Sequence, residues 1–142
     1  MPTAQSAPIN RAGSPTQQAV PSSIALSGPM KVNLSVYRGD SGRFRLAIGD
    51  SLGAPIDVST ATWDADIRLK ADDVDTITEF DVVLVAVAEA PDKNTIDVIL
   101  TPTKSEMLPA SCVYDLEMTL GGEVTTLIYG AITVTYDVSR TP

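Results

Sequence analysis

Apolar and polar residues alternate along most of this chain. Val32, Leu34 and Val36 are separated by Asn33, Ser35 and Tyr37. Phe44, Leu46 and Ile48 alternate with Arg43, Arg45 and Ala47, and Trp63, Ala65, Ile67 and Leu69 with Asp64, Asp66, Arg68 and Lys70. A two-residue period is that of a strand with one buried face. Ile96, Val98 and Leu100 repeat it, as do Cys112, Tyr114, Leu116, Met118 and Leu120. The last stretch puts Val124, Thr126, Ile128, Ile132, Val134, Tyr136 and Val138 on one face, with Gly130 expected as a bulge or bend. From Val82 to Val87 both faces are apolar, which predicts a central strand or one whose outer face meets a partner.

Only Thr103 to Leu108 has a helical signature, with Thr103 and Glu106 spaced as a capping box and Pro109 closing it. Turn residues separate the strands at Gly39-Asp40, Asp50 to Pro55, Ala71 to Asp75, Pro91 to Asn94 and Gly121-Gly122. The pattern predicts an all-β fold: a small antiparallel Ig-like sandwich of seven to eight strands with one short helical turn. Residues 31–142 form this domain and are numerous enough to bury a core without staples.

Residues 1–30 have a different composition. They hold five of the ten prolines, no acidic residue and one charged side chain, Arg11. Such a segment buries too little apolar surface to offset its chain entropy, and its prolines bar regular pairing. It is expected to be an extended docking arm that gains shape against a neighbour, anchored by Ile9, Val20, Ile24, Leu26 and Met30.

The chain has no histidine and a single cysteine, Cys112. That removes the usual zinc, copper and non-haem iron sites, and any internal disulfide. Cys112 shares the parity of Tyr114 and Leu116 and reads as a small core residue. The net charge of −8 repels phosphate backbones and anionic membranes, so neither nucleic acid nor membrane is an expected partner. No apolar run is long enough to span a bilayer, and the first residues lack a secretory leader's layout.

Three motif-like words lie between Tyr37 and Pro55: RGD at Arg38 to Asp40, GDSG at Gly39 to Gly42, and GDSL at Gly49 to Leu52. Trypsin-type and GDSL-type hydrolases both take the serine proton with a histidine, and Ser41 and Ser51 have none. All three words read as turns: Gly supplies backbone freedom and Asp an Asx-type bond. The acids Asp64, Asp66, Asp72, Asp73 and Asp75 suggest calcium, but both EF-hand registers fail, at Arg68 and at Leu84. Asp64 and Asp66 share a strand face, where a ladder with Arg68 and Lys70 explains them better than a glycosidase pair. No catalytic residue, cofactor or metal is expected.

VYRGDSGRFRLAIGDSLGAPIDVSTATWDADIRLK resembles the opening of phage tail and baseplate β-sandwich domains: a strand, an RGD-S/T turn, a second strand, a connection of the D-x-x-G-x-P-[IV]-D-[LV]-[ST] type, and a third strand. LTPTKSEMLPASCVYDLEM is similar to the strand, one-turn helix and Y-D-[LV] strand that follow, and GAITVTYDVSRTP to the closing G-x-I-x-V strand. The match runs over most of residues 32–142. It resembles immunoglobulin-like domains of the long-tail-fibre protein C type and the baseplate upper protein N-terminal type, and small minor tail proteins of actinobacterial phages. The resemblance implies a non-enzymatic virion component assembled in the host cytoplasm, in symmetric copies, whose partners are other tail or capsid subunits. A capsid decoration protein is the near alternative. A receptor- or glycan-binding module is the alternative from another class, with Tyr37, Val83, Val85 and Tyr129 as outer-face contacts.

Overall fold

The computed structural model describes residues 23–26 and 28–136. Its strands are β1 (Ser23–Ala25), β2 (Met30–Lys31), β3 (Leu34–Tyr37), β4 (Gly42–Gly49), β5 (Thr62–Asp64), β6 (Asp66–Arg68), β7 (Thr78–Glu79), β8 (Asp81–Leu84), β9 (Thr95–Leu100), β10 (Ser111–Leu120) and β11 (Glu123–Thr135), with one helical turn, α1 (Pro102–Ser105). Two sheets pack face to face as a small all-β sandwich. The smaller runs β1-β4-β9-β8. The larger runs β2-β11-β10-β6-β7, with β3 also on β11 and β5 also on β10.

The strand total exceeds the expected seven to eight because the chain changes sheet between short pieces. β7 pairs with β6 in the larger sheet, and β8 pairs with β9 in the smaller. The corner between them is Phe80, whose amide donates to the Ala65 carbonyl at 2.9 Å. The N-terminal stretch crosses in the same way. β1 lies parallel to β4, while β2 and β3 lie parallel to β11, so the sandwich is not antiparallel throughout.

This pairing moves the expected domain boundary. Ile24 is buried within its own domain and Leu26 packs on the same core, so neither is an anchor into a neighbour. Met30 is exposed on the edge strand β2. Three parallel strand segments stitch residues 23–37 to both sheets, because Ile24, Val32, Leu34 and Val36 supply the apolar face that a sheet edge needs. Ile9 and Val20 lie outside the described residues.

The two longest strands, β10 and β11, form a hairpin closed by Gly121 and Gly122, at φ 61° and 85°. Two positive φ values are what a two-residue hairpin loop demands. The bulge falls at Leu127 rather than at Gly130: register shifts after Leu116, so Leu127 and Ile128 both point inward. Gly130 serves another purpose. A Cβ there would drive into the carbonyl of Val32, in the link between β2 and β3. That carbonyl accepts a 2.7 Å bond from the Tyr114 hydroxyl, while the Val32 amide donates to Tyr129 O at 2.8 Å. Asn33 Oδ1 takes the Ala131 amide at 3.0 Å.

Leu46, Ile48, Ile67, Ile96, Leu116 and Ile132 fill the space between the sheets. Phe44, Phe80 and Tyr114 form an edge-to-face ladder beside them, with centroids 6.2 and 5.6 Å apart. Burial raises the Tyr114 phenol's pKa, so the group acts as a neutral hydrogen-bond donor. Tyr114→Phe keeps the ring but orphans the Val32 carbonyl. It is expected to cost about 1–2 kcal/mol, read from the urea midpoint at unchanged m-value.

The helical turn begins earlier than the capping-box reading places it. Thr101 is the N-cap, its hydroxyl accepting the Lys104 amide at 3.3 Å, and Pro102 opens the helix, where its missing N–H costs nothing. The all-apolar stretch from Val82 is not a central strand either. β8 lies at the edge of the smaller sheet, with Val83 half exposed.

Candidate functional site

The motif-like words resolve into structural joints. Arg38 donates from Nη2 to the Leu108 carbonyl at 3.0 Å and lies 4.8 Å from the centroid of the Tyr136 ring. Gly39, at φ 86°, donates its amide to Ser105 Oγ at 2.7 Å, and the Asp40 amide returns to Tyr37 O at 3.1 Å. Arg38 and Gly39 thus clamp the β3–β4 turn onto α1 and the segment that follows it. In GDSL, Asp50 Oδ1 accepts the amides of Leu52 and Ala54, both at 2.9 Å, with Gly53 just after it at φ 88°. Ser51 is exposed on that loop and Ser41 is exposed after the first turn.

The residues expected as one outer-face contact set do not converge. Tyr129 and Tyr37 face out from the larger sheet, but Thr135, the register partner of Tyr37, lies six positions along β11 from Tyr129. Val83 faces out from the smaller sheet, on the opposite side of the molecule. Val85 is buried, contrary to the expected contact. Its amide continues the β9 ladder to Thr95 O at 2.9 Å, and the turn after it folds back so that Glu89 reaches Arg45 at 3.2 Å. Beneath that turn Arg45 holds Asp97 in a two-pronged ion pair at 2.7 and 3.0 Å. The guanidinium keeps the Asp97 carboxyl below the ordinary range.

What does converge lies on the outer face of the larger sheet. A groove of about 470 Å³ runs over β11, β10 and β6, lined by Lys31, Tyr129, Val113, Asp115, Asp66 and Arg68 among others. The register explains the grouping. Tyr129 stands between Lys31 and Asp115 across the strands, and continuing the Val113–Arg68 and Tyr114–Ile67 pairs sets Asp66 beside Asp115. One row along, Glu117 faces Asp64 directly. Arg68 answers part of this charge, holding Asp66 at 2.9 Å.

Like charges placed opposite each other across strands are destabilising. Partial burial, then repulsion from Asp66 and Asp64, lifts the Asp115 carboxyl above its ordinary pKa, with Arg68 opposing. Glu117 is raised chiefly by partial burial, then by Asp115 and Asp64. The expected ladder of Asp64 and Asp66 with Arg68 is therefore partly realised: Arg68 pairs with Asp66, while Asp64 meets Glu117. The signal in the sequence is the odd parity of Asp115 and Glu117 in YDLEM, but only strand order shows which acids they meet. Among the described residues, no three acidic or cysteine side chains are gathered so as to hold a metal ion. Burial pushes the Cys112 thiol up to about 11.

These shifts fix a sign for the pH dependence. Asp115 and Glu117, raised in the fold, add stability as they take protons just above the ordinary carboxylate range of about 4. Asp97, depressed in the fold, withdraws stability as pH falls below that range. Thermal melts are expected to show a maximum on the acid side of neutrality. Asp115→Asn should raise the neutral-pH Tm and flatten the rise on acidification; a lowered Tm with an unchanged profile would contradict the repulsion.

No protein-family model matches the chain, and a search of the curated proteins found no match.

Proposed function

We propose that this protein is a non-enzymatic virion building block, a minor component of a phage tail, tail tip or baseplate that docks on neighbouring subunits through its N-terminal segment. One observation carries the reading: residues 23–37 are stitched into both sheets, and β1 is the edge strand of the smaller one. The residues before Ser23, with four of the ten prolines and no acid, therefore leave from a sheet edge. The order of the RGD turn, the Asp50 loop, α1 and the closing strand supports it, being that of the tail and baseplate domains the sequence resembles. Each of these motifs serves as a joint of the sandwich.

The testing deletion stops at residue 22, because removing residues 23–30 also removes β1 and the core residue Ile24. The shortened chain is expected to melt cooperatively and to be missing from purified particles. Normal incorporation would overturn the reading. The groove beside Tyr129 favours a second reading, a receptor- or glycan-binding module on the virion surface.

A further inference from the structure

We propose that the groove beside Tyr129 receives the segment around Arg11 of a neighbouring copy, with the arginine seated against Asp115. This deepens the assembly reading and rests on it.

The acidic side of the groove and the segment are complementary in charge. The groove carries both signs: on one side of Tyr129 stand Asp115 and Asp66, with Asp64 and Glu117 one row along and Arg68 already committed to Asp66, while Lys31 stands on the far side of Tyr129 from Asp115. The like-charged rows are unfavourable in the isolated domain and are relieved by a cation from outside. Residues 1–22 carry one charged side chain, Arg11, and no acid, so all 18 acidic side chains of the chain lie outside them. Arginine suits the task because its planar fork bonds a carboxylate with two donors and stacks on a neighbouring ring, here Tyr129.

The apolar parts match as well. Val113, Ala131 and the Tyr129 ring line the groove beside the carboxylates. In an extended segment Ile9 and Arg11 project to the same side, two residues apart, as the apolar lining and Asp115 require. The length suffices for a neighbour. Twenty-two extended residues span about 70 Å, against a radius of gyration near 14 Å for a domain of this size. A heterologous contact of this kind closes a ring where its rotation allows and extends a filament where it does not.

The test uses the full-length chain carrying Arg11→Glu, so that its own segment does not compete. A fluorescent peptide of residues 1–22 is titrated into it and followed by anisotropy. Saturable binding is expected. It should weaken at least tenfold when the peptide carries Arg11→Glu or the protein carries Asp115→Lys, and it should decline with salt. Asp115→Asn, expected to fold at least as stably as the parent, should weaken binding several-fold and guards against a folding failure of the lysine variant. Binding indifferent to Asp115→Asn and to the peptide substitution would overturn the groove as the site while leaving the docking segment standing. Absence of binding at millimolar peptide would overturn the groove proposal outright. The assembly reading falls separately, if particles incorporate the chain lacking residues 1–22.

Discussion

Gly130→Ala is expected to destabilise the sandwich by about 3 kcal/mol, the upper range for overpacking a tight site. The added Cβ would meet the Val32 carbonyl, which is backbone and cannot swing away as a long side chain could. Three bonds hold the link between β2 and β3 at this point: Tyr114 Oη to Val32 O, Val32 N to Tyr129 O, and Ala131 N to Asn33 Oδ1. Pushing Val32 outward strains all of them, and the freed phenol would be a buried donor without its acceptor. Gly42→Ala is the control. Its Cβ would lie 3.7 Å from Leu100 Cβ, an ordinary contact, and its φ is not positive. That change should be neutral or slightly stabilising, since alanine has fewer unfolded conformations. Similar urea midpoints for the two variants would refute the close approach at Gly130.

Arg38→Ala should cost about 2 kcal/mol, from a charge-assisted bond to a backbone carbonyl and a cation–ring contact. The Leu108 carbonyl would lose the guanidinium, Tyr136 its stacked partner, and the β3–β4 turn a tie to the segment that follows α1. Arg38→Lys should recover only part of the loss. An ammonium lacks the flat face that covers the ring and the fork that reaches the carbonyl at the same time. Asp40→Glu leaves the Asp40 amide on Tyr37 O, a backbone bond that does not depend on the side chain. If Asp40→Glu abolished cell attachment while Arg38→Ala left the melting curve unchanged, the tripeptide would be a recognition motif and not a joint.

The alternation of Leu34 with Val36, Leu46 with Ile48, and Cys112 with Leu116 names most of the core, because a half-buried strand has a strict period that a single chain displays. The turns were legible for the same local reason: positive φ at Gly39, Gly53, Gly121 and Gly122 is written in the residue type. The cap of α1 lies two residues before the one the sequence predicts, since Thr101-Pro102 and Thr103 both offer plausible starts, and it is Thr101 that takes the Lys104 amide. Leu127 hides its bulge because an extra residue in one strand has no local mark when the partner is unknown.

By itself the sequence determined an acidic β-sandwich with one helical turn, serines without a histidine base, and a proline-rich leading segment of different character. Those properties are set by neighbours along the chain or by composition. Only the tertiary structure decided that residues 23–26 and 28–30 belong to the sandwich, that Gly130 makes room for Val32, that Val85 is covered, and that Asp115 and Glu117 face Asp66 and Asp64. Each depends on which strand lies beside which. That order is chosen by burial and register summed over the whole core, and no local stretch of sequence carries it.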